Sequence, residues 1–260
     1  TFYAVAIDNQ SINDGVPFSV YINNSDSDCS LYLPNIVDGC EVRNSIVFTP
    51  GAYLVPHGIS VTGDNLVLDC NGAVIMNEAI LYNPLPNPGI SVVNRQNVEI
   101  KNCVVEKNSV GLLVGQSNNI RVHDSIFNES LGEAIYVEYS QNVLVENNIF
   151  SESQYGLRFR NVQNSLVFKN QIINNENGQI DFIGSSYNNI TENNVANQEF
   201  NYPIRLITTT PNVGNTIYRN NFQNYVTRPI DDGTNNQWTI NGEGNYWSNH
   251  LCINNNWDTH

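Results

Sequence analysis

The chain has little positive charge: Lys and Arg number 11 against 25 Asp and Glu, a formal net charge of -14 over 260 residues. Neutralising nucleic-acid phosphates takes a basic patch, and anionic membranes attract clustered Lys and Arg, so neither partner is expected. No stretch approaches the ~18 consecutive apolar residues of a membrane-spanning helix. Methionine occurs once, at Met76, and the five cysteines include no Cys-x-x-C pair, which weakens zinc-ribbon and redox readings. Soft copper sites want clustered Cys, Met or His. The histidines His57, His123, His250 and His260 are scattered, and only His250-Leu251-Cys252 brings two ligand types close together. A solvated terminal histidine is the plainer reading of that pair, so no metal and no other cofactor is expected. Only 14% of residues are charged, while roughly one in six is asparagine. High polarity with little charge often marks disorder, but regular spacing of Ile, Val and Phe argues against it here.

What the chain does have is a repeat. The pattern Val/Ile-x-Val/Ile-x-Asn-x-Ile returns about every 23 residues, with Asn102, Asp124, Asn147, Asn170, Asn193 and Asn220 as marker positions. Blocks such as Gly89-Ile90-Ser91-Val92, Gly111-Leu112-Leu113-Val114 and Gly156-Leu157-Arg158-Phe159 keep the same period. Short β-type runs at this spacing are the signature of a solenoid of stacked coils. The expectation is an all-β parallel β-helix of about seven to nine coils. It forms one domain, because a coil buries its apolar face only against its neighbours. Strand side chains alternate inward and outward. Ile90 and Val92, Val98 and Ile100, Ile120 and Val122, and Val143 and Val145 are therefore assigned to the lumen, with Phe159, Phe168, Phe182 and Phe222 extending their stacks. The asparagine column receives two tasks: a left-handed backbone at the bend, and amide-to-amide hydrogen bonds from coil to coil.

Residues 1–45 depart from the repeat and are read as an N-terminal cap, 46–249 as the β-helix and 250–260 as a C-terminal tail. Trp238, Tyr246, Trp247 and Trp257 are expected to close the far end. Residues 79–88, with Pro84, Pro86 and Pro88, should bulge as a loop. An end coil carries unpaired N–H and C=O groups. Thr1, Phe2, Tyr3, Val5 and Ile7, in an apolar β-prone run, either cap their own helix or dock on another copy, which would generate a filament. Cys29 and Cys40 flank a loop-like stretch and either form a small disulfide or stand as separate buried thiols. Sequons at Asn9, Asn23, Asn128 and Asn189 fit an exported glycoprotein. The chain opens on Thr1 rather than methionine, and the expectation is an extracellular or cell-surface protein whose leader has been removed.

Pro50-Gly51-Ala52-Tyr53-Leu54, followed by Ile59-Ser60-Val61-Thr62-Gly63-Asp64-Asn65-Leu66-Val67-Leu68-Asp69-Cys70-Asn71-Gly72-Ala73-Val74-Ile75, resembles the opening coils of NosD-type parallel β-helix proteins. Asn97-Val98-Glu99-Ile100-Lys101-Asn102-Cys103 is similar to that group's repeat core, and Gly244-Asn245-Tyr246-Trp247-Ser248 to the motif that often ends its helix. The resemblance spans about residues 46 to 249. It implies a right-handed parallel β-helix, usually exported and often associated with carbohydrate. Some members are linked to copper delivery, while relatives include polysaccharide lyases, epimerases and hydrolases, so function must be argued from a site.

In β-helix enzymes the substrate groove lies on the outside of one parallel sheet. The outward column here reads Ser91, Leu113, Tyr136, Arg158, Asp181, Arg205, Asp231, with Glu138 and Arg160 two positions on and Asp232 beside them. As a glycan site, Tyr136 would stack on a sugar ring and Arg158 and Arg205 would hold acidic groups, with Glu138 and Arg160 in the same patch. Asp181 and Asp231 would be the residues to suspect in turnover, being two coils and so on the order of 9.6 Å apart at the backbone, a separation that permits the roughly 5–9.5 Å glycosidase carboxylates use. The same residues also read as an alternating charge ladder between strands. Lys101, His123, Glu146, Lys169, Glu192 and Arg219 form a second such series. Asn-Thr-Asp, Gly-His-Gly, Arg-Ile-Lys and Asp-Pro-His-Glu signatures are all missing. The favoured role is therefore a non-enzymatic structural protein of an extracellular surface, able to assemble with itself. The alternative is a polysaccharide-binding or polysaccharide-modifying protein.

Overall fold

Alternate Val, Ile and Phe give each run one apolar face, and runs of three to six residues cannot bury that face alone. The structure, a computed structural model that describes residues 27–77, 87–196, 202–207, 212–225 and 227–248, solves this by stacking the runs in register. Among these residues the strands form three sheets, A, B and C, of nine, eight and nine strands. One coil visits each in turn. Glu133–Glu138 lies in sheet A, Gln141–Glu146 in B and Ile149–Ser151 in C, and Tyr155–Arg160 returns to A one coil on. Strands pair in parallel with their counterparts in adjacent coils, and the solenoid winds right-handed through about eight turns.

The lumen holds the aliphatic pairs assigned to it, from Ile90 and Val92 to Val143 and Val145, all buried. Phe159 packs against Phe182 with ring centroids 5.0 Å apart and the planes tilted by 56°. Phe222 lies against Trp247 at 4.3 Å and closes the far end with the buried Trp238. Phe168 corrects the expectation: it lies outward on sheet B with the Lys169 ammonium 4.6 Å from its ring centroid. Val145 pairs with Val167, so that coil runs one residue out of step with the sequence pattern, and Val167 takes the lumen position.

The same slip divides the asparagine column in two. The left-handed corner residues are Asn102, Asp124 and Asn147, then Lys169, Glu192 and Arg219, with φ between 51° and 56°. Their side chains face solvent, so a long polar residue serves there as well as asparagine. The next residue points inward, where buried backbone donors need a partner. The backbone N–H of Asn148 donates to Asn170 Oδ1 at 2.9 Å, that of Asn170 to Asn193 at 2.9 Å, and that of Asn193 to Asn220 at 3.0 Å. Shorter ladders fill the other corners, Ser165-Asn188-Asn215-Asn236 and Ser130-Ser153-Asn175.

At the N-terminal end a 3-10 turn, Cys29–Tyr32, sits against the first coil. Cys29 is bonded to Cys40, and Cys29, Ile36 and Cys40 are buried against the end of the lumen. The Glu41 N–H donates to Ser27 O at 2.6 Å, so residues 27 and 28 cover the sheet A edge of that coil. A second disulfide, Cys70–Cys103, which the sequence left unassigned, ties two consecutive coils. Pro88 opens the strand Pro88–Val93 instead of belonging to the bulge. Thr1, Phe2, Tyr3, Val5, Ile7, Asn9, Asn23, Pro84, Pro86, His250, Cys252, Trp257 and His260 lie outside the described residues. The sequon residues Asn128 and Asn189 sit half-buried in strands, and their partner residues Ser130 and Thr191 are 3% and 5% exposed.

Candidate functional site

The outer face of sheet A carries the charged residues picked out by the repeat. Strand register places Tyr136 beside Arg158, Arg158 beside Asp181 and Asp181 beside Arg205. Asp181 is 1% exposed although it belongs to the outward column. Arg205 covers it, donating from Nε to Oδ1 at 2.8 Å and from Nη2 to Oδ2. From the other side Arg158 donates through Nη2 to Oδ2 at 3.3 Å, while its Nη1 donates to Glu133. The sequence Glu133-Arg158-Asp181-Arg205 is a chain of alternating charge that sums to zero. Its hydrogen bond to Asp181 holds the Arg205 guanidinium above its ordinary range, so Arg205 stays a cation throughout.

Glu133, Tyr155 and Tyr202 belong to this cluster but escaped the sequence reading. The Arg158 guanidinium lies 3.7 Å from the Tyr155 ring centroid, and that of Arg205 lies 5.6 Å from the Tyr202 centroid. Such contacts desolvate the cations and fix their planes. Strict alternation puts the next outward position two residues before Arg158, at Gly156. Gly156 and Leu157 are both buried, however, and the outward position falls three residues back, at Tyr155. The column so formed runs Glu133, Tyr155, Gly178, Tyr202. Gly178 leaves a gap between the two rings, and a Cβ there would stand 3.8 Å from Arg205 Nη2.

Asp231 does not join the cluster. It pairs with Leu206, not Arg205, because the chain between these coils shifts the register by one, and Ile230 occupies the column instead. Its carboxylate accepts from Trp238 Nε1 at 2.9 Å, Asn236 Nδ2 at 2.7 Å and the Gly233 N–H at 3.0 Å, pinning the closing loop. Asp232, likewise exposed, donates its backbone N–H to Leu206 O. No acid–base pair of Asp181 with Asp231 is formed. Beside the cluster, the Tyr136 hydroxyl donates to Glu138 at 3.0 Å, with the exposed Arg160 in the next coil; burial pushes the Tyr136 phenol up.

A second charged group lies on sheet B. His123 has Nδ1 2.6 Å from Asp124 Oδ2 and Nε2 2.9 Å from Glu99 Oε1. Lys101, His123 and Glu146 share one register, whereas Lys169, Glu192 and Arg219 form their own ion-paired series at the corner, ending on Glu243.

A soft copper site needs clustered Cys, Met or His donors. Among those described, no three His, Cys, Asp or Glu side chains are arranged to hold a metal ion. His57 pairs with Asp38, His123 with two carboxylates, and four cysteines are oxidised. This donor set does not fit a soft copper site. No helix of the described residues is long and apolar enough to cross a membrane.

A family model described as "Periplasmic copper-binding protein (NosD)" matches residues 7–252. No curated protein sequence matches the chain. Among solved structures, DFA-IIIase from Arthrobacter chlorophenolicus A6 superimposes with a TM-score of 0.61 at 10% identity, covering 84% of this chain and 75% of that one. PfbA, a surface adhesin of Streptococcus pneumoniae, gives a TM-score of 0.52 at 12% identity, with 80% and 64% covered. Against four further DFA-IIIase chains the protein spans 50% to 60% of their length. At these identities the likeness is one of fold.

Proposed function

The chain belongs to the NosD family, and from that premise we propose that it is a non-enzymatic β-helix of an extracellular surface that binds glycan on the outer face of sheet A. The observation that carries this reading is the state of Asp181. A general acid or base has to reach the atom it serves. Asp181 is buried and engaged by three guanidinium N–H groups, and Asp231 has no place opposite it. What remains on that face is recognition chemistry. Arg158 and Arg205 are held by carboxylates and tyrosine rings, and each side chain keeps 20% of its surface exposed. Tyr136, Glu138 and Arg160 extend the polar surface beside them.

Two disulfides suit an oxidising compartment. The fold shared with a surface adhesin agrees with attachment as a role, and that with DFA-IIIase agrees with a saccharide ligand. Copper binding is not carried over, because the described donors do not fit it. Filament growth by strand addition has less support than attachment: residues 27–40 already cover part of the N-terminal end. The test is binding of the intact protein to a panel of neutral and uronate-containing polymers. Saturable binding that falls roughly tenfold in the double variant Tyr136→Ala, Arg158→Met supports the reading. Binding to no member of the panel, or equal binding by the folded variant, overturns it.

A further inference from the structure

Two tyrosines at the corner between sheets A and B stand where the backbone disfavours them. Tyr139 and Tyr187 have φ of 48° and 58°, the left-handed region, and they are the two aromatic residues so placed among those described. A bulky side chain there is strained, and Asn or Gly does the task better, as Asn161 and Gly184 do in the coils after Tyr139, and as Asn142 and Asn164 do in the coils before Tyr187. Both rings are also largely in solvent, 53% and 61% exposed. Neither burial nor backbone preference therefore accounts for an aromatic at either site. Strain of this kind points from an observed outlier to a function.

Their surroundings match one ligand chemistry. The Tyr139 N–H donates to Arg160 O at 2.9 Å, so the fully exposed Arg160 adjoins the first ring. Among the described residues no carboxylate pairs with Arg160: its guanidinium is held up first by a hydrogen bond to Tyr136, and Glu138 already accepts from the Tyr136 hydroxyl. The exposed amides of Gln163 and Asn164 lie along the same corner, one coil on. Tyr187 lies a coil further and packs over Gly214, where a Cβ would come within 2.9 Å of its ring. The two rings are thus two coils apart, on the order of 9.6 Å along the axis. Each offers an apolar face with a polar rim, as a sugar ring requires, and the guanidinium fork matches a carboxylate or sulfate.

We infer that this corner is the binding edge for an acidic polysaccharide that crosses it obliquely from coil to coil, its sugar rings on Tyr139 and Tyr187 and an acidic group between them on Arg160. This rests on the glycan-binding reading and deepens it by naming the polymer class and its direction. The net negative charge repels a polyanion in general, so attraction must come through these few local groups.

The test compares polygalacturonate with the same polymer after reduction of its carboxyl groups, on the whole protein and on Tyr139→Asn, Tyr187→Asn and Arg160→Gln. Each Asn variant should lose roughly tenfold in affinity for polygalacturonate. Each should also melt no lower than the parent, since asparagine is the residue other coils use there. Arg160→Gln should weaken binding to polygalacturonate and leave binding to the reduced polymer unchanged. If the parent binds a glycan but both Asn variants bind it equally well, the corner is not the edge and the glycan reading survives. If Arg160→Gln weakens both polymers alike, or neither, the acidic assignment is wrong. Absence of binding to any glycan by the parent overturns both proposals together.

Discussion

A single buried amide in this solenoid serves three coils. Asn193 Oδ1 accepts from the backbone N–H and from Nδ2 of Asn170 at 2.9 and 3.0 Å, while its own Nδ2 donates to Val167 O and to Asn220 Oδ1, each at 2.9 Å. It is 1% exposed, so water cannot replace these partners. Removing one partner from a buried polar group costs more than the bond itself contributed, because the remaining group has been desolvated for nothing. Asn193→Ala is therefore expected to destabilise the fold by roughly 2–4 kcal/mol, measured by denaturant or thermal unfolding. Glu192→Ala, one residue earlier but pointing to solvent, should change stability far less. Equal losses in the two variants would mean that the ladder does not carry the corner.

At the scale of strands, sheet B shows how adjacent coils become coupled through charge. Glu99 and His123 lie on neighbouring strands, and the hydrogen bond from His123 holds the Glu99 carboxyl below the usual glutamate range, with Lys101 and Arg121 adding to it. A depressed carboxyl contributes stability that is complete above its unfolded value, about 4.3, and is lost as the pH falls through the lower folded value. The melting temperature should accordingly drop as the pH is taken from about 5 into the acid range. Glu99→Gln should flatten part of that drop. A variant whose melting curve shifts with pH exactly as the parent's does would remove Glu99 from the account.

The strands also show what could be read in advance and what could not. Alternation located the lumen pairs and the Arg158, Asp181, Arg205 column, because side-chain direction follows directly from a period of two. It misplaced Phe168 and Asp231 because one residue gained or lost at a corner turns the following strand over, and no local signal marks where that happens. Glu133, Tyr155 and Tyr202 were hidden by the two consecutive buried residues that follow them in their sheet A strands. The asparagine column was right in chemistry and wrong in assignment. Bend geometry and hydrogen-bond supply fall to adjacent residues, and only packing tells them apart.

For the whole molecule, the stacked ladders present long sides built from the outer faces of three sheets. Three parallel sheets repeat their outward residues at the coil spacing, so a ligand that is itself a linear repeat can meet several coils at once. The central claim is that this protein holds such a polymer on sheet A and its corner without altering it. The direct measurement is to incubate the protein with polygalacturonate under conditions of saturable binding, then determine the length and stereochemistry of the recovered polymer. The account predicts bound polymer of unchanged length and configuration. Shortened, unsaturated or epimerised product, formed by the parent and not by Asp181→Asn, would contradict it.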